Sequence, residues 1–198
     1  KTYLARESKI AKFTRERHRP RFALAAHAAP VDGMENPPAG EMPVSDPVPG
    51  GRLGLLLTED DLDAGWLMDA VPGLAGVAVL RGDGARSPLE TAPMVRAFTG
   101  AAIADALGRV DLQRGPVTDD PAEIARWAGA AGIDALVAPW APVGPAREAV
   151  ERLRESVPVA MRLTPHDAAA WPHATAGFFK FKAKIPKLLR RLDQPDLL

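Results

Sequence analysis

Four short apolar runs constrain this chain more than any other feature. Each is too short to be a helix, and they recur along the chain among stretches with helical periodicity. The runs lie in "GRLGLLLTEDDL", where Leu53, Leu55, Leu56 and Leu57 precede an acidic loop, in "AGVAVLRG", in "IDALVAPWAP" and in "VPVAMRLTP". Nearly unbroken apolar character over about five residues fits a strand buried on both faces, as in a parallel sheet. "DLQRGPV" reads as a weaker fifth strand. Between them, "SPLETAPMVRAFTGAAIADALGRV" predicts one long helix capped at Ser87 with Pro88 in its first turn. Val95, Phe98, Ile103 and Leu107 recur in it at helical spacing. "TDDPAEIARWAGAAG" predicts a helix with Asp120 as cap, Pro121 at the first helical position and Gly132 as stop. "VGPAREAVERLRES" predicts another, with Val150 and Leu153 inward and Arg147, Glu151 and Arg154 outward. Strand and helix alternate at the spacing of βαβ units, so the expected fold class is α/β: a Rossmann-like parallel sheet flanked by helices, joined by right-handed crossovers.

The chain before this region is of another kind. Residues 1–27 carry a short basic helical segment with Leu4, Ile10 and Phe13 loosely on one stripe. Residues 28–51 hold Pro30, Pro37, Pro38, Pro43, Pro47 and Pro49, and read as an extended linker, because proline fixes φ and removes donors. The α/β domain is expected over residues 52–198. Formal net charge is zero, but it is unevenly spread. Residues 1–22 hold eight Lys or Arg against Glu7 and Glu16, and residues 178–198 hold six against Asp193 and Asp196. The middle is correspondingly acidic. Such basic ends can steer toward phosphate or an acidic partner; a plain solvated helix face has the same composition. With no cysteine, disulfides, thiolate metal sites and cysteine nucleophiles are excluded. No stretch has the length and apolarity of a membrane span and no secretory signal is evident, so a cytoplasmic protein is expected. Lys1 in first place and the abrupt "KTYLARESKIAKF" opening suggest a piece of a longer protein.

In open α/β sheets, ligands bind beyond the carboxyl ends of the strands. Here those ends carry "TEDDLD", "RGDG", "PWAPVGP" and "TPHDAAAWPH". Glu59, Asp60, Asp61 and Asp63 offer oxygen ligands to a hard cation, but such runs more commonly solvate and cap a helix start, and no metal is expected. "WAPVGP" brings a helix start to a strand end, where free N–H groups favour an anion. The plainer role of its glycine and prolines is a tight turn, and no GxGxxG or P-loop pattern is present. Asp60 and Gly144 are therefore the cofactor-binding candidates. His18, His27, His166 and His173 have no metal-site spacing, and no Gly-x-Ser-x-Gly elbow exists. No catalytic residue is expected.

The closing stretch, "AAAWPHATAGFFKFKAKIPKLLRRL", concentrates aromatic bulk and lysines. Phe178, Phe181, Ile185, Leu188 and Leu189 recur every three to four residues, which predicts one amphipathic helix with a wet, positive opposite face. The simplest expectation is that its aromatics bury against the sheet or a neighbouring domain. A nucleic-acid surface would instead put lysines on phosphates and phenylalanines on bases. The candidate contact residues are Trp171, His173, Phe178, Phe179, Lys180, Lys182 and Lys184.

"HDAAAWPHATAGFFKFKAKIPKLL" resembles the carboxyl-terminal segment of bacterial proteins of the cryptochrome/DNA photolyase family. The opening "KTYLARESKIAKFT" is similar to the helix that leaves the flavin domain in such proteins, and the Pro-rich linker, "EDDL" and "APWAPVGP" follow the same pattern. The chain departs from it at Thr14 to Phe22, where a glycine-containing turn is usual, and at Ala176, where a basic residue is usual. The resemblance implies a parent that binds FAD in an upstream domain and either repairs DNA photoproducts or signals in blue light. This chain would be the carboxyl-terminal companion domain, without activity or FAD of its own. Its partner would be the upstream flavin-binding domain, with DNA reached through the parent and an antenna chromophore as a further cofactor. Trp66, Trp127, Trp140 and Trp171 would not belong to the family's electron relay. The competing class is a free-standing nucleotide- or small-molecule-binding α/β enzyme, and a third is a purely structural interaction domain. An exposed apolar patch around Phe178, Phe179 and Phe181 would favour a companion domain; a concave pocket with those residues buried would favour the enzyme.

Overall fold

A computed structural model describes residues 5–21, 24 and 41–193, the last three of them as backbone only. The chain divides into two compact units, Lys1–Glu41 and Met42–Leu198. In the first, helix α1 spans Glu7–Thr14. It ends where Arg15 and Glu16 turn left-handed, at φ 51° and 62°, and the Glu16 N–H closes the last turn on the Ala11 carbonyl at 2.8 Å. Thr14 Oγ1 donates back to the Ile10 carbonyl at 2.8 Å. This is the basic helix expected, but Phe13 of its stripe is exposed. Leu4, His27, Pro30, Pro37 and Pro38 lie outside the described residues.

The second unit holds five strands, β1 (Leu53–Leu57), β2 (Gly76–Leu80), β3 (Gln113–Thr118), β4 (Ala135–Pro139) and β5 (Val159–Arg162). They form one sheet in the order β3-β2-β1-β4-β5, and every pairing is parallel. Helices α2 (Gly65–Ala70), α3 (Pro93–Gly108), α4 (Pro121–Ala130) and α5 (Pro145–Arg154) connect successive strands. Strand side chains alternate between faces, which splits the core in two. Leu55, Leu57, Val77, Val79 and Val137 pack with Leu67 of α2 and with Ile103 and Leu107 of α3. Leu56, Leu80, Leu136 and Met161 pack with Ile124 of α4 and with Val150 and Leu153 of α5. Both faces are covered, which is why β1, β2 and β4 read as unbroken apolar runs. The order is that of the first five strands of a doubly wound Rossmann sheet, and the α/β class expected from sequence is correct.

β3 forms one margin. Val77 faces Arg114 but Val79 faces Val117, so β3 carries one extra residue around Gly115 and Pro116. Such a bulge suits a proline, which has no N–H for a ladder. Trp127 of α4 fills the space beside it: a Cβ on Gly115 would lie 2.4 Å from the indole ring. At the other margin, residues 45 and 46 bind β5. The Asp46 N–H donates to the Met161 carbonyl at 2.9 Å, Asp46 Oδ2 accepts from the Met161 N–H at 2.9 Å and from the Arg154 guanidinium, and Ser45 Oγ accepts from the Leu163 N–H at 2.9 Å. The final part of the proline-rich stretch is extended, and it covers the β5 edge.

Two helices differ from expectation. α3 begins at Pro93, and residues 87–92 form a loop in which Ser87 Oγ accepts from the Leu89 N–H at 3.0 Å instead of capping a helix. In a helix starting at Pro88, Pro93 would fall inside, without a donor and against the Leu89 carbonyl. At Pro93 the missing N–H costs nothing. Val95 and Phe98 are exposed, and only the second half of α3 packs, through Ile103, Ala106 and Leu107. The closing helix is broken for a similar reason. α6 (Pro165–Ala170) follows β5, then a 3₁₀ turn at Trp171–His173, then α7 (Phe178–Lys182) and α8 (Ile185–Asp193). Pro186 cannot bond to the Lys182 carbonyl, so the chain turns at Ala183 and Lys184 before α8 resumes. Among the apolar positions expected on one face, Leu188 is buried, Phe181 and Ile185 are half-buried, and Phe178 and Leu189 are exposed.

Candidate functional site

The carboxyl ends of β1, β2 and β3 open together above the sheet. β1 runs into a tight turn, in which the Asp61 N–H donates to the Thr58 carbonyl at 3.2 Å. The turn throws Glu59 toward β2, where its carboxylate, 4% exposed, accepts the Gly82 N–H at 3.0 and 2.9 Å. Arg86 lies 3.4 Å from Glu59 and 2.5 Å from Asp60, bridging both acids. At the end of β2, Arg81 donates twice to Asp83, at 3.0 and 2.6 Å. That contact holds the Asp83 carboxyl below the ordinary carboxylate range and raises Arg81 above the ordinary guanidinium value. Asp61 moves the other way: burial chiefly raises its carboxyl, against the lowering effect of the Asp63 N–H it accepts.

Beyond these pairs lies a cleft with two lobes of about 440 and 500 Å³. Both lobes touch Asp83, Leu89, Glu90 and Thr91. The first reaches Thr118 and Asp119 at the end of β3. The second runs along Leu62, Val95, Phe98 and Thr99 of the β1 loop and α3. Of the sequence candidates, Asp60 stands at the rim through Arg86. Gly144 stands apart from it. As the residue before α5 it has φ 143°, a conformation that favours glycine. The helix start beside it is occupied: a Cβ on Gly82 would lie 2.6 Å from the Ala146 nitrogen and 2.9 Å from the Pro145 carbonyl carbon. The β2 loop therefore packs onto the first turn of α5, where an anion would have to bind. Nearby, Arg147 stacks over Trp140 at 4.8 Å from the ring centre.

The acids read as cation ligands already have partners, Glu59 the Gly82 N–H and Arg86, Asp60 the same Arg86, Asp61 the Asp63 N–H and Asp63 the Gly65 N–H. Among the described residues no three His, Cys, Asp or Glu side chains gather as a metal site. A dinucleotide fits no better. Its pyrophosphate needs free donors, whereas each cleft guanidinium is already paired and the α5 start is covered.

The carboxyl-terminal candidates form a second surface. Phe178 and Phe179 meet edge to face at 5.7 Å, and both stand in solvent, 63% and 84% exposed. Of the two expectations, burial against the sheet or against a neighbouring domain, the first is not met by Phe178 and Phe179, while Phe181 is half-buried. Trp171 is exposed and His173 half-buried. Lys180, Lys182 and Lys184 are exposed on the same segment, with Lys180 and Lys182 in α7 and Lys184 in the turn after it. The other tryptophans lie elsewhere: Trp66 packs against the core face of α2 and α3, and Trp127 against that of α4 and α5.

Sequence reasoning named the "TEDDLD" and "RGDG" strand ends but missed the Arg81–Asp83 pair and the cleft wall. Val95 and Phe98 of that wall read from sequence only as residues at helical spacing. The signal available was Pro93, which moves the helix start and frees the loop before it.

Fold and strand ends together define a doubly wound α/β domain with a mixed apolar and charged cleft at its carboxyl edge. No protein-family model matches the chain, and no curated protein matches it. No helix among the described residues is long and apolar enough to cross a membrane.

Proposed function

We propose that this chain is the carboxyl-terminal α/β companion domain of a cytoplasmic, photolyase/cryptochrome-like, FAD-dependent blue-light protein, and that it docks on the upstream flavin-binding domain without catalysing a reaction itself. The observation that carries the reading is the exposed Phe178–Phe179 pair among lysines. Covering a phenylalanine side chain is worth about 1.5–3 kcal/mol, so two rings left in solvent forgo several. A neighbour that covers them recovers that free energy. Exposed lysine pairs contribute only about 0–1 kcal/mol each. The rings thus set affinity, while Lys180, Lys182 and Lys184 orient approach toward an acidic or phosphate-bearing surface. Trp171 and His173 flank the same surface. The sequence resemblance supplies the partner's identity.

The test is an absorption spectrum of the longer polypeptide containing this chain, purified from cells, beside that of the chain alone. Bound flavin in the longer protein with a colourless isolated chain supports the proposal. A longer protein without flavin overturns it.

A further inference from the structure

We propose that the cleft beyond β1, β2 and β3 binds a small aromatic molecule carrying a cationic or donor-rich nitrogen head, such as an amidine or amine, and rejects anions of the same shape. The inference is independent of the companion role. Size is the first support, since lobes of about 440 and 500 Å³ lie within the usual range of small-molecule sites.

The wall is the second. Val95 and Phe98 stand 50% and 75% exposed on the first half of α3. Together with Leu89, 77% exposed, and the half-buried Leu62 they line one lobe. The buried residues of the same helix, Ile103, Ala106 and Leu107, all lie in its second half. A planar ring laid against Phe98 and Val95 would remove that apolar surface from water.

Charge decides the head group. The two lobes are lined by four carboxylates, Glu59, Asp83, Glu90 and Asp119, and by three guanidiniums, Arg81, Arg86 and Arg96. Each guanidinium is already committed, Arg81 to Asp83 at 2.6 Å, Arg86 to Asp60 at 2.5 Å and Arg96 to Glu90 at 2.7 Å. An entering anion would find no free cation and an excess of negative charge. A cationic head would relieve that excess, and the hydroxyls of Thr91 and Thr99 offer acceptors beside the rings.

Benzamidine and benzoate test this directly, being close in shape and opposite in charge. The chain, with methyl and amide groups observed by NMR, is titrated with each. Benzamidine is expected to saturate and to shift Leu89, Val95 and Thr91, with benzoate weaker by at least about tenfold. Phe98→Ala, at an exposed position, should leave the melting temperature unchanged while weakening benzamidine by roughly threefold. Glu90→Gln should narrow the difference between the two compounds. Benzoate binding as tightly as benzamidine would overturn the proposal, as would shifts mapping away from the cleft, no saturable binding, or indifference to Phe98→Ala.

Discussion

Asp61 and Asp83 respond to acid in opposite directions. Asp83 has a folded value below its unfolded one, so its stabilisation is present above the ordinary carboxylate value of about 3.9 and is lost as pH falls through the depressed folded value. Asp83→Asn should therefore destabilise the protein by about 2 kcal/mol at pH 7, the scale of a hydrogen bond to a charged group, with little difference near pH 2. Asp61 has a raised folded value, so the stability linked to its protonated form is complete below about 3.9 and lost as pH rises through that raised value. Asp61→Asn keeps an oxygen for the Asp63 N–H, bonded at 3.0 Å, and should stabilise at pH 7 by on the order of 0.5 kcal/mol, allowing for partial exposure. Urea unfolding of both variants at the two pH values checks the signs. An Asp61→Asn variant less stable than the parent at pH 7 would refute the burial account. None of this was legible in "TEDDLD" as a string. Its acidity was visible, but which acid meets Gly82, which meets Arg86 and which is buried depends on β1 and β2 lying side by side.

Elements were more legible than sites, because strand burial leaves a continuous apolar trace and caps leave named residues. Asp120 does accept the Ala122 N–H, at 2.9 Å, with Pro121 in the first turn, as read from sequence. Where two prolines competed, at Pro88 and Pro93, cap preference pointed to the first and the donor requirement inside a helix decided for the second. Pro186 broke the closing helix by the same rule. The clamp on β5 had no trace, since Asp46 sits in a stretch that reads as linker and meets Met161 and Arg154 only after folding. Asp46→Ala leaves the Met161 N–H and the Arg154 guanidinium short of an acceptor. It should cost about 2–3 kcal/mol in a urea titration, and Asp46→Asn about half of that. A neutral Asp46→Ala would mean that the segment merely lies along the edge.

On the scale of the whole molecule, the acidic middle and basic ends seen in composition correspond to different places. Asp60, Asp83, Glu90 and Asp119 gather at the cleft and its rim, while Lys180, Lys182 and Lys184 stand on the closing segment. The sheet's margins are likewise unequal. Along β5 the Asp46 N–H and the Asp46 carboxylate occupy the carbonyl and the N–H of Met161. Among the described residues no further strand pairs along β3, and the run is kinked by its extra residue and lacks a donor at Pro116. An unpaired strand is a template on which copies can stack, and an imino acid with a kink is how natural sheets spoil that template. Colloidal behaviour at high concentration then rests largely on one ring. Pro116→Val should leave the monomer folded yet raise light scattering and fibre-dye binding on prolonged incubation. Unchanged scattering would assign the protection to the bulge alone. Growth of one copy upon the next is thus a hazard at one flank only, and there the chain sets a kink, an imino acid and the exposed charge of Arg114 against it.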